Sequence, residues 1–142
     1  MPTILVSEKS TSITIEIIEY DKYPKDDFSW CDIKIEIKNK YFNYSCISEF
    51  LDVKEIDFMI NWLSKAIINK LPDEDELYFT EPELVFIFNK TKDEKPYLDF
   101  EFNYPSNGCY GYEKWCTLIE YEQIIELRDG LIKEQKNFIE NK

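Results

Sequence analysis

Polar and apolar residues alternate over much of the first fifty positions, a pattern typical of strands that bury one face. The run Trp30–Lys38 places a cysteine and three isoleucines on one side and charged residues on the other. A similar run, Ile13–Tyr20, changes phase at Ile17–Ile18, which predicts a β-bulge. The short Asn39–Lys40 connection predicts an antiparallel hairpin that ends in a strand at Tyr41–Ile47.

The apolar period changes at Asp52, where the sequence begins to look helical. Asp52 and Glu55 resemble a capping box, in which side-chain oxygens satisfy the first backbone N–H groups of a helix. Apolar residues then recur at helical spacing, and they are Ile56, Met59, Ile60, Leu63 and Ile67. We therefore predict a central helix at about residues 52–71, ended by Pro72. A C-terminal helix at about residues 121–139 contains Gly130 and lacks a good N-cap residue.

Four more strands are expected between the two helices. They are Leu77–Phe79, Leu84–Phe88, Leu98–Tyr104 and Tyr112–Ile119. Consecutive strands with one helix in the middle and one at the end indicate the α+β class. The sheet should be mostly antiparallel, because the connections are too short for crossovers except where a helix intervenes. A chain of 142 residues without a linker predicts a single domain over residues 1–142.

Composition excludes several classes of protein. The chain has 29 acidic and 17 basic residues, a net charge of −12, and its 16% aromatic content is too high for a disordered acidic chain. Nucleic acid is not expected as a direct partner, because phosphate affinity needs clustered Lys and Arg and Arg128 is the only arginine. Histidine is absent, which rules out Ser-His-Asp and Cys-His catalysis. We expect no cofactor and no metal.

The cysteines indicate packing rather than chemistry. None of Cys31, Cys46, Cys109 and Cys116 stands in a C-x-x-C spacing. The first two share apolar strand faces, as reduced core thiols do, whereas Cys109 lies in a glycine-containing turn where a thiol is partly exposed. Residues 1–10 lack the pattern of a signal peptide, and no apolar run is long enough to span a membrane. We therefore expect a cytoplasmic protein without disulfides.

The sharpest local feature is an acidic segment between Lys70 and Lys90 that contains no base. Its six acids are Asp73, Glu74, Asp75, Glu76, Glu81 and Glu83. One interpretation is a solvated loop that keeps the protein soluble. A cation site is another, but the segment lacks the ligand spacing and central glycine of a calcium loop. A third is a surface that complements a basic partner.

Other residues are weaker candidates for a site. Asp99 and Glu101 share one strand face and are the main possibility for paired acid–base carboxylates, but they alternate with apolar residues and should lie on the wet side of the sheet. Glu81, before Pro82, lies between apolar stretches, where a carboxylate is partly buried. Three aromatic residues cluster near a glycine-containing turn and are candidates for partner contact. They are Tyr110, Tyr112 and Trp115.

Several segments, taken in order, resemble the WapI-like family of bacterial immunity proteins. They are Ile13–Ile17, Trp30–Ile37, Asn61–Leu63 and Leu77–Phe86, the last being the most distinctive. The resemblance implies a cytoplasmic antitoxin that binds and neutralises the toxic domain of a contact-dependent or polymorphic toxin without catalysis. Such domains are often nucleases and therefore basic. The family supplies no catalytic residues. That the acidic segment forms part of the contact surface is our own hypothesis.

Two other functions remain open from the residues themselves. One is a module that binds a small molecule or a peptide near Tyr110, Tyr112 and Trp115. The other is a carboxylate-dependent enzyme, which would need a cleft with two close acids, at least one of them with a raised pKa.

Overall fold

The computed structural model describes residues 3–6, 11–19, 30–40, 43–79, 83–105 and 112–140. The elements in chain order are β1 (Thr3–Val6), β2 (Thr11–Glu19), β3 (Trp30–Lys38), β4 (Asn43–Asp52), α1 (Val53–Ile67), β5 (Glu76–Leu77), β6 (Leu84–Lys90), β7 (Pro96–Pro105), β8 (Tyr112–Ile119) and α2 (Tyr121–Glu140). The α+β class is confirmed, with one helix in the middle of the chain and one at its C-terminal end.

The strands form two four-stranded antiparallel sheets, where the sequence had suggested a single one. The first has the order β1-β2-β3-β4 and the second β5-β6-β7-β8. In each sheet the strands pair with their neighbours in sequence. Helix α1 follows β4 directly and precedes β5, so the chain leaves the first sheet before it starts the second. The bulge expected at Ile17–Ile18 is confirmed as a register shift between Ile17 and Glu19.

The capping box of α1 is present as predicted. The Asp52 carboxylate accepts the backbone N–H of Lys54 at 2.8 Å, and the Asp52 N–H donates to Glu55 Oε1 at 2.9 Å. The helix ends at Ile67, earlier than the predicted residue 71, because the chain turns at Asn69 with φ 59°. Asparagine tolerates this left-handed conformation and here replaces the usual glycine of a Schellman motif.

The N-terminus of α2 is better capped than the sequence indicated. Glu120 donates its backbone N–H to Oε1 of Gln123 at 2.8 Å. This is one half of a capping box, formed by the third helical residue rather than by the N-cap side chain. The N-cap position itself holds Glu120, which is not one of the preferred cap residues, as the sequence indicated.

The buried faces of both sheets and both helices share one hydrophobic core. Phe102 of β7 joins the sheets, because its ring lies 5.6 Å from the ring of Tyr44 and 6.1 Å from that of Phe50, both in β4. Cys31 is fully buried, as predicted, and Cys46 packs partly buried against the core. Cys109 lies outside the described residues. No helix in the described part of the chain is long and apolar enough to cross a membrane.

Candidate functional site

The first part of the acidic segment is held against the second sheet by backbone hydrogen bonds. Glu74 donates its N–H to the carbonyl of Phe88 at 2.9 Å, and Phe88 donates to the carbonyl of Asp75 at 2.8 Å. Asp75 also donates to the carbonyl of Pro72 at 3.1 Å, closing a turn in which Glu74 has φ 62°. The first acids of the segment are thus fixed beside β6.

The first four acids of this segment have different surroundings. Asp75 is half-buried and accepts a hydrogen bond from the indole Nε1 of Trp62 at 2.8 Å, so it has a structural role. Asp73 is exposed and forms an ion pair with Lys90, with 3.4 Å between Oδ1 and Nζ. Glu74 and Glu76 are exposed. Both carboxylates therefore face solvent.

A polar groove of about 350 Å³ lies between the acidic segment and the turn that joins β6 to β7. Its lining residues are Asp73, Glu74, Asn89, Lys90, Thr91, Lys92 and Glu94. Three acids and two lysines share this groove, so the segment that is base-free in sequence has bases beside it in space. Its local acidity is partly compensated.

The remaining predicted site residues do not form one surface in the described structure. Glu81 and Tyr110 lie outside the described residues, and of Tyr112 only the backbone is described, paired with Pro105. Trp115 is half-buried, with its ring 6.1 Å from that of Phe100 at an angle of 69°. It therefore faces the core side of β8.

Glu83 lies directly before β6 and is half-buried, and its carbonyl accepts the N–H of Asn103 at 2.8 Å. Burial raises the pKa of the nearby Cys46 thiol, against a hydrogen bond with Tyr44, and the negative charge of Glu83 raises that pKa further. Glu83 therefore lies close enough to Cys46 of β4 for its charge to act on that thiol.

The sequence predicted that Asp99 and Glu101 lie on the solvent-facing side of the sheet. In the structure they lie on that outer face but are half-buried. Asp99 is half-buried, and its carboxylate accepts a hydrogen bond from Asn89 at 2.6 Å. Burial raises the pKa of Asp99, the hydrogen bond opposes this, and the charge of Glu101 adds to the rise. Glu101 pairs with Lys114 at 3.6 Å.

This pair meets one requirement of a carboxylate enzyme, a raised pKa, but lies on the outer face of a four-stranded sheet. The cross-strand neighbours of Asp99 on that face are Ile87 and Leu118, and those of Glu101 are Val85 and Cys116. Leu118 is 39% exposed and Cys116 is also exposed. The two acids therefore lie among apolar side chains on a sheet surface that is open at β8.

Among the residues that the structure describes, the acid with the largest pKa shift lies elsewhere. Glu134 of α2 is buried and accepts the backbone N–H of Ile17, the residue at the bulge in β2. Burial raises the pKa of Glu134 to about 7, against the effect of that hydrogen bond, and the charge of Glu16 adds to the rise. Because Glu134 is buried between α2 and β2, we interpret it as a structural residue.

A family model described as the immunity protein WapI-like family matches residues 4–137 of the chain. No curated protein matches, and no solved structure matches. Among the residues that the structure describes, no group of three or more potential ligands is placed to hold a metal ion.

Proposed function

The chain belongs to the WapI-like immunity protein family, and we propose that it neutralises the toxic domain of a contact-dependent or polymorphic toxin by binding it in the cytoplasm. The observation that carries this proposal is the family match over residues 4–137. In this role the protein acts through an interface and catalyses no reaction.

The charge of the chain supports a basic partner. A net charge of −12 repels other acidic macromolecules and attracts basic ones, and it speeds their encounter at low ionic strength. A nuclease domain must hold phosphate groups and is therefore basic. An acidic inhibitor that covers this basic surface would exclude the nucleic acid, which accounts for neutralisation without chemistry.

Within the acidic segment, Glu74 and Glu76 are the residues that we assign to partner contact. Asp75 accepts the Trp62 hydrogen bond, so reversing its charge would also disturb the fold, and Asp73 is already paired with Lys90. Testing Glu74 and Glu76 alone therefore separates recognition from stability.

The test begins with the genes beside this chain, where the proposal predicts a long open reading frame that ends in a basic domain. That domain, expressed alone in a bacterium, is expected to stop growth, and co-expression of this chain to restore it. The purified proteins should form a complex whose dissociation constant rises as the salt concentration is raised from about 50 to about 500 mM, since salt screens opposed surface charges. Toxicity that persists on co-expression, together with no complex at low salt, would contradict the proposal.

The double variant Glu74→Lys/Glu76→Lys tests the contribution of the acidic segment. We expect it to weaken binding by roughly tenfold and to flatten the salt dependence, because two favourable charges become repulsive. A matched control is Glu49→Lys/Glu126→Lys, which changes the net charge equally at exposed positions of β4 and α2. If both double variants bind alike, the effect comes from net charge rather than from this segment.

A further inference from the structure

The outer face of the second sheet combines apolar and acidic side chains in two adjacent rows. One row crosses all four strands through Glu76, Ile87, Asp99 and Leu118. The neighbouring row contains Val85, Glu101 and Cys116. Residues in register on one sheet face have Cβ atoms about 5 Å apart, so these rows form one continuous surface, here called the acidic–apolar face.

Apolar and acidic side chains alternate from strand to strand on this face. Ile87 lies half-buried between Glu76 and Asp99, Val85 is half-buried at the end of the neighbouring row, and Leu118 is 39% exposed at the edge strand. Glu76 is exposed on the strand at the opposite edge. Apolar residues flanked by polar ones are typical of surfaces that bind another protein.

Charge decides what kind of partner fits. The face carries the acids Glu76, Asp99 and Glu101, and the base beside them, Lys114, pairs with Glu101. The groove at the acidic segment, in contrast, contains Lys90 and Lys92 next to its acids. Compared with this groove, the sheet face therefore combines acids and apolar side chains with fewer bases beside them.

A second copy of this chain is a poor occupant. In a symmetric dimer both subunits use the same patch, so the acids of one face would meet the acids of the other. Like charges in such an interface disfavour the contact. A basic surface with apolar side chains avoids this repulsion.

We infer that the acidic–apolar face is the docking surface for the basic toxin domain, with Leu118 and Ile87 as apolar contacts and Asp99 and Glu101 as anchors for Lys or Arg side chains. This inference rests on the proposed function and names the surface that performs it. It places the centre of the interface on the second sheet and leaves the acidic segment at its rim, where Glu76 belongs to both.

Leu118→Lys is the first test, measured as the dissociation constant with the same purified toxin domain. A lysine there faces the basic partner and removes an apolar contact, so binding should weaken at least tenfold. Ile47→Lys is a matched control, since Ile47 is 58% exposed on β4, the corresponding edge strand of the first sheet. It should bind within about twofold of the wild type, and circular dichroism should show both variants folded.

Asp99→Asn/Glu101→Gln tests the charges with little change of shape. It should weaken binding at least fivefold and reduce the salt dependence, whereas the control Glu49→Gln/Glu126→Gln should change neither beyond a small net-charge effect. If the wild type binds the toxin domain and both Leu118→Lys and this double variant bind it normally, the proposed docking surface is wrong but the proposed function stands. No binding by the wild type would overturn the proposed function as well.

Cys116 gives a second measurement that needs no variant. Its thiol is exposed on this face, and trypsin cleavage after Lys114 separates its peptide from the one containing Cys109. Alkylation of Cys116 by N-ethylmaleimide, followed by mass spectrometry, should slow at least fivefold in the complex. An unchanged rate in a saturated complex would overturn the inference.

Discussion

The indole Nε1 of Trp62 donates a hydrogen bond to Oδ2 of Asp75 at 2.8 Å. This bond joins helix α1 to the turn before β5, and thereby joins the helix to the edge of the second sheet. Trp62 is buried and Asp75 is half-buried, so water competes weakly for either group. The bond makes one member of the acidic segment part of the fold.

Asp75→Ala should therefore destabilise the protein by about 1–3 kcal/mol, because it leaves the Trp62 N–H without its acceptor. Asp73→Ala, which removes only an ion pair between a largely exposed carboxylate and Lys90, should cost less than about 1 kcal/mol. Urea unfolding monitored by tryptophan fluorescence measures both. Equal losses for the two variants would show that the indole bond contributes little.

Glu134 should make stability depend on pH in a defined direction. Its pKa is raised to about 7 in the folded protein against an ordinary value of 4.5, so the folded state holds the proton more tightly than the unfolded chain. The stabilisation is complete below pH 4.5 and is lost as the pH rises through 7. The loss at pH 8 is expected to be on the order of 3 kcal/mol.

Glu134→Gln isolates this effect, since the amide oxygen still accepts the Ile17 N–H and carries no charge. The variant should be more stable than the wild type at pH 8, and this advantage should shrink towards pH 5. Thermal unfolding across this range, compared as the difference between the two proteins, cancels the other carboxylates. A difference that is constant with pH would contradict the assignment.

Asp52→Ala should destabilise the protein by about 0.5–2 kcal/mol, because the first backbone N–H groups of α1 lose their side-chain acceptor. Asp52→Ser should lose less, since a serine hydroxyl also caps a helix. Chemical denaturation gives both values. A loss as large for serine as for alanine would mean that Asp52 acts through its burial rather than as a cap.

Gly130→Ala should stabilise the protein by about 0.5–1 kcal/mol. Gly130 lies within α2 and is not fully buried, and alanine restricts the unfolded chain while fitting the helical backbone. The free energy of unfolding from urea titration tests this. A decrease would show that the methyl group collides with a neighbouring element.

Much of the local structure was predictable because its signals lie within a few residues of one another. The alternation in Trp30–Lys38 predicted the strand with its boundaries, and the change of phase at Ile17–Ile18 predicted the bulge. Asp52 and Glu55 predicted the start of α1. Its end was predicted too late, because proline is an obvious helix breaker whereas the left-handed turn at Asn69 depends on a weaker preference.

The candidate site was less predictable, since charges that are far apart in sequence meet in it. The stretch between Lys70 and Lys90 contains no base, yet Lys90 and Lys92 lie beside Asp73 and Glu74 in the groove. Asp99 and Glu101 were placed on the correct strand face. Their apolar neighbours Ile87 and Leu118 became visible only from the register of β6, β7 and β8.

The sequence by itself carried the resemblance to the family in several short segments. It also determined the α+β class, most of the elements and which face of each strand is buried, because hydrophobic periodicity and capping act over two to four residues. Only the tertiary structure decided that the strands divide into two sheets and that Trp62 binds Asp75. It also decided that Glu134 is buried against the Ile17 amide and that acids and apolar residues share one sheet face. These features depend on strand register and on packing between distant segments, and no local pattern in the chain encodes them.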